Sequence, residues 1–329
     1  MPVIDIHSHV IPQPLITAME AEPDGFGTRI EVRNGKRHVV RAMNSFELEP
    51  VMYDPVAKLA AMDGMGLDIA VLSAAPPVYC YWLPAAQGIR AAKLINDGIG
   101  QMVAQRPDRL RGMATLPMQD PDAAIAELER SVKEYQFKGV ELATSIEGAF
   151  LADPKFRPVL KAIEKMGLFV FTHPYGSVAK AVLNDYYLIN LVGFPLDTTL
   201  MAAHLMYSGA LDELKTLHFI LPHGGGYLPY QIGRFAHGHK VRPETRANSA
   251  TSPFEHLKRF SFDALLHYPQ SIRHLIDTVG ADRVMIGSDC PFDMADASPV
   301  KSLDATPRLT AAEREAVTHR NAARLLGEA

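Results

Sequence analysis

Cysteine is scarce in this chain. Cys80 and Cys290 are the two cysteines among 329 residues. That is too few for a disulfide framework, and no CxxC pair is available for a zinc ribbon or a dithiol redox site. Charge of one sign is also lacking. The net formal charge is -4 and no long basic run occurs, so nothing electrostatic calls for nucleic acid or an anionic lipid surface as partner. The densest basic stretch, Arg33 to Arg41, is broken by Asn34, Gly35 and His38. No apolar run approaches the roughly 18–20 residues that span a bilayer. The start, MPVIDIHSHV, has neither the basic nor the apolar segment of a secretory signal, so a cytoplasmic protein is expected. No nucleotide or flavin fingerprint occurs, which argues against an organic cofactor.

What is present is a rhythm of short apolar, β-branched runs. They are Val3–Ile6, Ile69–Ser73, Leu110–Leu116, Gly139–Thr144, Leu168–Thr172, His218–Leu221, Phe260–Asp263 and Val284–Gly287. Runs without alternation suit parallel strands covered on both faces. Helical spacing separates most of them, at Pro55–Met65, Ala85–Gln105, Asp122–Tyr135, Asp153–Met166, Ser252–Arg259 and Pro269–Val279, and Ala311–Leu326 closes the chain. Strand and helix alternate eight times, which predicts a (β/α)8 barrel as one domain over residues 1–329. A doubly wound open sheet competes, but it carries a Gly-rich loop after its first strand. Here the first run leads straight into His7-Ser-His9. Within residues 20–50, Arg29–Arg33 and Lys36–Val40 flank Asn34-Gly35. That pattern predicts a small β-hairpin inserted after the first strand, over the barrel's C-terminal mouth.

Chemistry-bearing residues fall at the strand ends. His7 and His9 are two apart in an extended segment, so both can face one ion. His173 ends the fifth run just before Pro174, His223 ends the sixth before three glycines, and Asp289 ends the eighth. Each alone reads as an ordinary loop residue. Together they gather at the face where active sites of this fold assemble, and a divalent metal site is the better reading. A catalytic ion keeps a position open, so one strand-end histidine is free for proton transfer. His223, followed by Gly224-Gly225-Gly226, is assigned that acid/base duty. Trp82, with Tyr79 and Tyr81, offers an aromatic wall, and Tyr175 is placed with Trp82 among the substrate contacts. Cys290 is expected to be a small packed residue.

Along essentially its whole length the chain resembles the amidohydrolase superfamily, in its aminocarboxymuconate-semialdehyde decarboxylase-like branch. The resemblance rests on IDIHSHV (Ile4–Val10), LPMQD (Leu116–Asp120), THP (Thr172–Pro174), HGGGYLPYQIGR (His223–Arg234), FDALLH (Phe262–His267) and IGSDCPF (Ile286–Phe292). It implies that His7, His9, His173 and Asp289 hold one divalent ion, zinc with manganese as the alternative. His223 is then the general acid/base, with Asp289 in a dual role. Arg234 would grip a substrate carboxylate, in some members across a dimer interface, so a homodimer is expected. The fourth strand, GVELAT, lacks the lysine that many amidohydrolases carbamylate, which implies a mononuclear site. Two departures stand out: Ser45–Pro50 lacks the arginine of the family's FRP segment, and Cys290 stands where tyrosine is usual.

The expected activity is a metal-dependent, non-oxidative decarboxylation of an aromatic or enol carboxylate. A metal-dependent hydrolase or hydratase on the same scaffold, acting on a ring-cleavage product or lactone, is the nearest alternative. A non-catalytic metal-binding barrel is a further one, opposed by an intact His223 beside four intact ligands.

Overall fold

The computed structural model describes residues 1–22, 25–41 and 45–328. All eight apolar runs form strands: β1 (Ile4–Val10), β2 (Ile69–Ala74), β3 (Leu110–Thr115), β4 (Gly139–Ala143), β5 (Phe169–His173), β6 (His218–Leu221), β7 (Phe260–Asp263) and β8 (Val284–Met285). They pair in that order, every pair parallel. The chain beyond β8 returns to β1. There Ile6 N–H donates to the Ile286 carbonyl at 3.0 Å and His9 N–H to the Cys290 carbonyl at 2.8 Å. The sheet closes into a (β/α)8 barrel, and closure removes its open edges.

The helices at Pro55–Met65, Ala85–Gln105 and Pro269–Val279 coincide with the predicted segments. Local chemistry starts them: Asp54 caps the first, and Asp120 caps the helix Pro121–Tyr135 by accepting from two backbone N–H groups, each with proline following. Helices at Gln13–Ala21, Phe194–Tyr207 and Leu228–Val241 were not singled out from sequence. Phe194–Tyr207 is apolar around most of its circumference, which blurs the helical period. Leu228–Val241 carries Gly233 and Gly238, poor helix formers.

The insertion folds as predicted and adds one strand. Arg29–Arg33 pairs antiparallel with Lys36–Val40, turning at Asn34 and Gly35, both at positive φ, and Ser45–Glu47 joins as a third strand. Residues 23–24 and 42–44 of this stretch lie outside the described residues. Phe46 brings the small sheet to the barrel mouth, its ring centroid 6.3 Å from that of Phe292.

Inside the barrel, Ile4, Ile6, Val71, Met113, Phe169, Phe171, Ile220 and Met285 form one buried cluster, joined by Ala322, Ala323 and Leu326 of the C-terminal helix. Burying a Val, Leu, Ile, Phe or Met side chain contributes about 1.5–3 kcal/mol. This packed floor fixes the height at which polar groups begin.

Candidate active site

The placing of His7 beside His9 depends on a defect in β1. Its pairing with β2 runs Asp5 to Ala70, then Ser8 to Leu72, a register shift of one residue. In an unbroken strand Ile4, Ile6 and Ser8 would share a face. The bulge re-aims the chain, so Ile4 and Ile6 pack in the interior floor while His7 and His9 also point inward above it. Simple alternation predicted that the two histidines face one side. It did not predict that the isoleucines share that side.

Each imidazole is oriented by a partner on its far nitrogen. His7 Nδ1 lies 2.7 Å from Asp263 Oδ2, His9 Nδ1 lies 3.2 Å from the Ala74 carbonyl, and His173 Nδ1 lies 2.7 Å from the Pro174 carbonyl. With Nδ1–H donating in each case, the three Nε2 atoms are the nitrogens left to face the centre. They converge: His7 Nε2 is 2.9 Å from His9 Nε2, and Asp289 Oδ1 stands 3.3, 3.1 and 3.9 Å from the Nε2 atoms of His7, His9 and His173. Such separations suit donors sharing one ion at bonds of about 2.0–2.2 Å. His173 Nε2 and Asp289 Oδ1 are buried with no hydrogen-bond partner among the described residues. A buried acceptor without a proton to accept is costly, and a cation satisfies both. The residues present can therefore hold a divalent ion.

His223 stands across the cluster, its Nε2 3.8 Å from Asp289 Oδ2. Donor atoms of His7, His173, His223 and Asp289 lie within 4.8 Å of one another, so distance alone does not separate His223 from the ligand set. Its loop is tightly held. Gly224 N–H donates to Asp263 Oδ1 at 2.9 Å. Gly226 has φ +62°, and a side chain there would meet the Pro195 carbonyl at 2.2 Å. His223 and Asp289 both occupy the left-handed region, φ 54° and 58°, a conformation that marks functional turns when a non-glycine residue is held in it.

Electrostatics favour one positive charge among these donors. Burial opposes charge on His7, but Asp289 and Asp263 outweigh it and push its pKa up to about 10. Burial pushes His9 down to about 4 and holds His173 well below the imidazole range. Burial also resists ionisation of Asp289, yet the charge on His7 and the close imidazoles of His223, His7 and His9 keep its pKa well below the carboxylate range. His9 and His173 are therefore neutral beside an ionised Asp289, as ligation requires, while the proton that His7 carries supplies the positive charge a divalent cation would take over.

Four buried groups around the site carry no role in the sequence reading. Asp263, ending β7, bridges His7 and the His223 loop. Glu141 of β4 places Oε1 3.5 Å from His9 Nδ1, and burial raises its pKa to about 8. Asp5 accepts from the Ser288 backbone and hydroxyl at 3.0 and 2.6 Å, tying β1 to the Asp289 turn. Lys58 donates to the His9 carbonyl at 2.9 Å, and burial lowers its pKa. A signal did exist for Asp263, which ends its strand as His173 ends β5. Lys58 lies in the helix Pro55–Met65, where a lysine reads as an ordinary surface charge, and gave none.

A cavity of about 480 Å³ opens above the cluster, with His173 and Asp289 in its floor and Phe46, Tyr175, Phe194 and Phe292 in its walls. Tyr175 thus lines it. Trp82 sits behind, its ring covered by the Arg41 guanidinium at 4.1 Å, and lines a second cavity with Gln119 and Glu147. Arg234 is exposed on the helix Leu228–Val241 and does not line the pocket. Cys290 is buried, its Sγ 3.9 Å from Lys58 Nζ. No helix among the described residues is long and apolar enough to cross a membrane.

Comparison with known proteins places this geometry. The 2-amino-3-carboxymuconate-6-semialdehyde decarboxylase of Dictyostelium discoideum is 29% identical over 327 residues, covering 98% of this chain and 91% of that protein. The gamma-resorcylate decarboxylase of Rhizobium sp. (strain MTP-10005) is 30% identical over 259 residues, 73% of this chain and 77% of that protein. Among solved structures, 5-carboxyvanillate decarboxylase LigW from Sphingomonas paucimobilis superposes with a TM-score of 0.85 at 25% identity, over 99% of both chains. The model of the family described as Amidohydrolase matches residues 4–327, and with the strand-end histidines and aspartate gathered on a closed barrel, the chain belongs to that family.

Proposed function

We propose that this chain, acting as one domain over residues 1–329, is a metal-dependent, non-oxidative decarboxylase of an aromatic or enol carboxylate. The carrying observation is the convergence of the Nε2 atoms of His7, His9 and His173 and Asp289 Oδ1 on the floor of a ring-sized pocket. The relatives support it, being named decarboxylases of aromatic or muconate-type acids. His7, His9, His173 and Asp289 would hold the ion. Three imidazoles and a carboxylate suit zinc, and manganese accepts the same donors. The bound ion supplies Lewis-acid withdrawal of charge from the substrate's carboxylate and neighbouring oxygen.

The chain's own groups do the rest. Decarboxylation breaks one C–C bond, releases carbon dioxide and places one proton on the carbon left behind. His223, facing Asp289 Oδ2, holds and delivers that proton. Phe46, Phe194 and Phe292 line the pocket and would shield a bound ring from water. Arg234, outside its own pocket, would reach substrate across a homodimer, where its planar fork suits a carboxylate.

The test is a panel of hydroxybenzoates and muconate-type acids with zinc- or manganese-loaded protein, following carbon dioxide. Ring-opened or hydrated product without carbon dioxide would replace this reading with a hydrolase or hydratase. His223→Asn should keep its metal and lose roughly 10²–10⁴ in rate. If elemental analysis shows the metal gone as well, His223 is a ligand and the proton transfer passes to Asp289.

A further inference from the structure

The pocket walls carry several acids but a single lysine or arginine among the described residues, Arg41. Glu47 is paired with Lys36, and Asp293 accepts from the Tyr187 hydroxyl. Arg41 has no such partner. Its guanidinium carbon stands 4.1 Å from the centre of the Trp82 ring, and it makes no hydrogen bond or ion pair to any described residue. Stacking on an aromatic face satisfies the flat side of a guanidinium and leaves its N–H donors, which lie in the plane, for an acceptor. The group is half-buried, and burial pulls its pKa down. A cation removed from water without a counter-charge is costly unless something else supplies the charge. Trp82 holds the guanidinium in place, so the fork is set before an acceptor arrives.

We propose that Arg41 anchors a second carboxylate of the substrate, remote from the carboxylate lost at the ion. The proposal rests on the decarboxylase reading and narrows it: the substrate is a diacid built on one ring or a conjugated chain. A cavity of about 480 Å³ accommodates one substituted ring with both groups. The aromatic walls accept the planar body, the floor takes one acid and Arg41 the other. Arg41 also gives the single tryptophan of the chain a role: it supports the guanidinium rather than the substrate.

The experiment is calorimetric titration of metal-loaded protein with a diacid, 4-hydroxyisophthalate, and a monoacid, 2-hydroxybenzoate. Wild type, Arg41→Gln and Arg41→Lys are compared, with metal content measured on each. Wild type should bind the diacid roughly 10–100-fold more tightly, the range of a charge-assisted pair. Arg41→Gln should bring the two acids within about threefold of each other, with monoacid affinity and metal content unchanged. Arg41→Lys should restore part of the preference, since an ammonium keeps the charge and loses the fork. Equal affinities in wild type, or a preference that survives in Arg41→Gln, overturns the Arg41 assignment and leaves the decarboxylase reading standing. A preference that depends on Arg41, with no carbon dioxide from any acid of the panel, keeps Arg41 and overturns the reaction. No binding of either acid to wild type overturns both.

Discussion

Asp263→Asn is the most informative single substitution, because both carboxylate oxygens accept from N–H donors. Oδ2 faces His7 Nδ1 at 2.7 Å and Oδ1 faces Gly224 N–H at 2.9 Å. Asparagine has one acceptor oxygen, so its NH2 must confront one of the two donors. If the NH2 turns to His7, the imidazole loses the bond that fixes its tautomer and aims Nε2. If it turns to Gly224, the His223 loop loses its tether. Removing such a partner of a metal-ligating histidine typically costs 10–100-fold in metal affinity or activity, about 1.4–2.7 kcal/mol. Asp263→Ala should cost more, since it strands His7, Gly224 N–H and Leu265 N–H together, at about 1–3 kcal/mol each. Chelator competition gives the metal affinity, carbon dioxide release gives kcat, and circular dichroism confirms the fold. An Asp263→Asn protein with wild-type metal affinity and kcat refutes the claim that this carboxylate organises the site.

Gly226→Ala should destabilise by about 2–5 kcal/mol, combining the left-handed penalty with overpacking against Pro195 and Thr199. With His223 displaced and the ligands of the other strands in place, kcat should fall more than tenfold while metal content holds; thermal melts with elemental analysis decide it. Glu313 accepts from the Arg273 guanidinium and from Thr310 N–H, which together hold its pKa down to about 2. A depressed carboxylate stabilises above its unfolded value, and that stability is lost as pH falls toward 2. Glu313→Gln should cost about 1–2 kcal/mol at pH 7, less than the full shift implies because the pair is partly exposed. The difference from wild type should close below pH 4.5, measured by urea unfolding at each pH, and a constant difference would refute it.

The barrel was legible because its strands are buried on both faces and so appear as unbroken apolar runs, and Asn34-Gly35 marked its hairpin. The helix Phe194–Tyr207 was not, because Leu200, Met201, Leu205 and Met206 among other apolar residues leave no polar face for a period to show against. The strand-end histidines and Asp289 declared themselves by position. The β1 bulge left no trace, since Ile4, Ile6, His7 and His9 fit ordinary alternation equally well until the partner strand is known. Arg41 read only as the end of the densest basic stretch, because the stacking that singles it out joins positions 41 apart in the chain.

The meeting of the chain's two ends at β1 sets the order in which this protein matures. His7 and Ser288, hydrogen-bonded neighbours in the finished barrel, are separated by 281 residues. At translation rates of about 5–20 residues per second, roughly a quarter of a minute to a minute passes between their syntheses. Throughout that interval the growing polypeptide carries His7 and His9 without Asp289. On the proposed reading, capture of an ion by His7, His9, His173 and Asp289 would wait for the barrel's last strand to leave the ribosome, and a chain arrested short of residue 289 should build most of its sheet but bind no ion in elemental analysis.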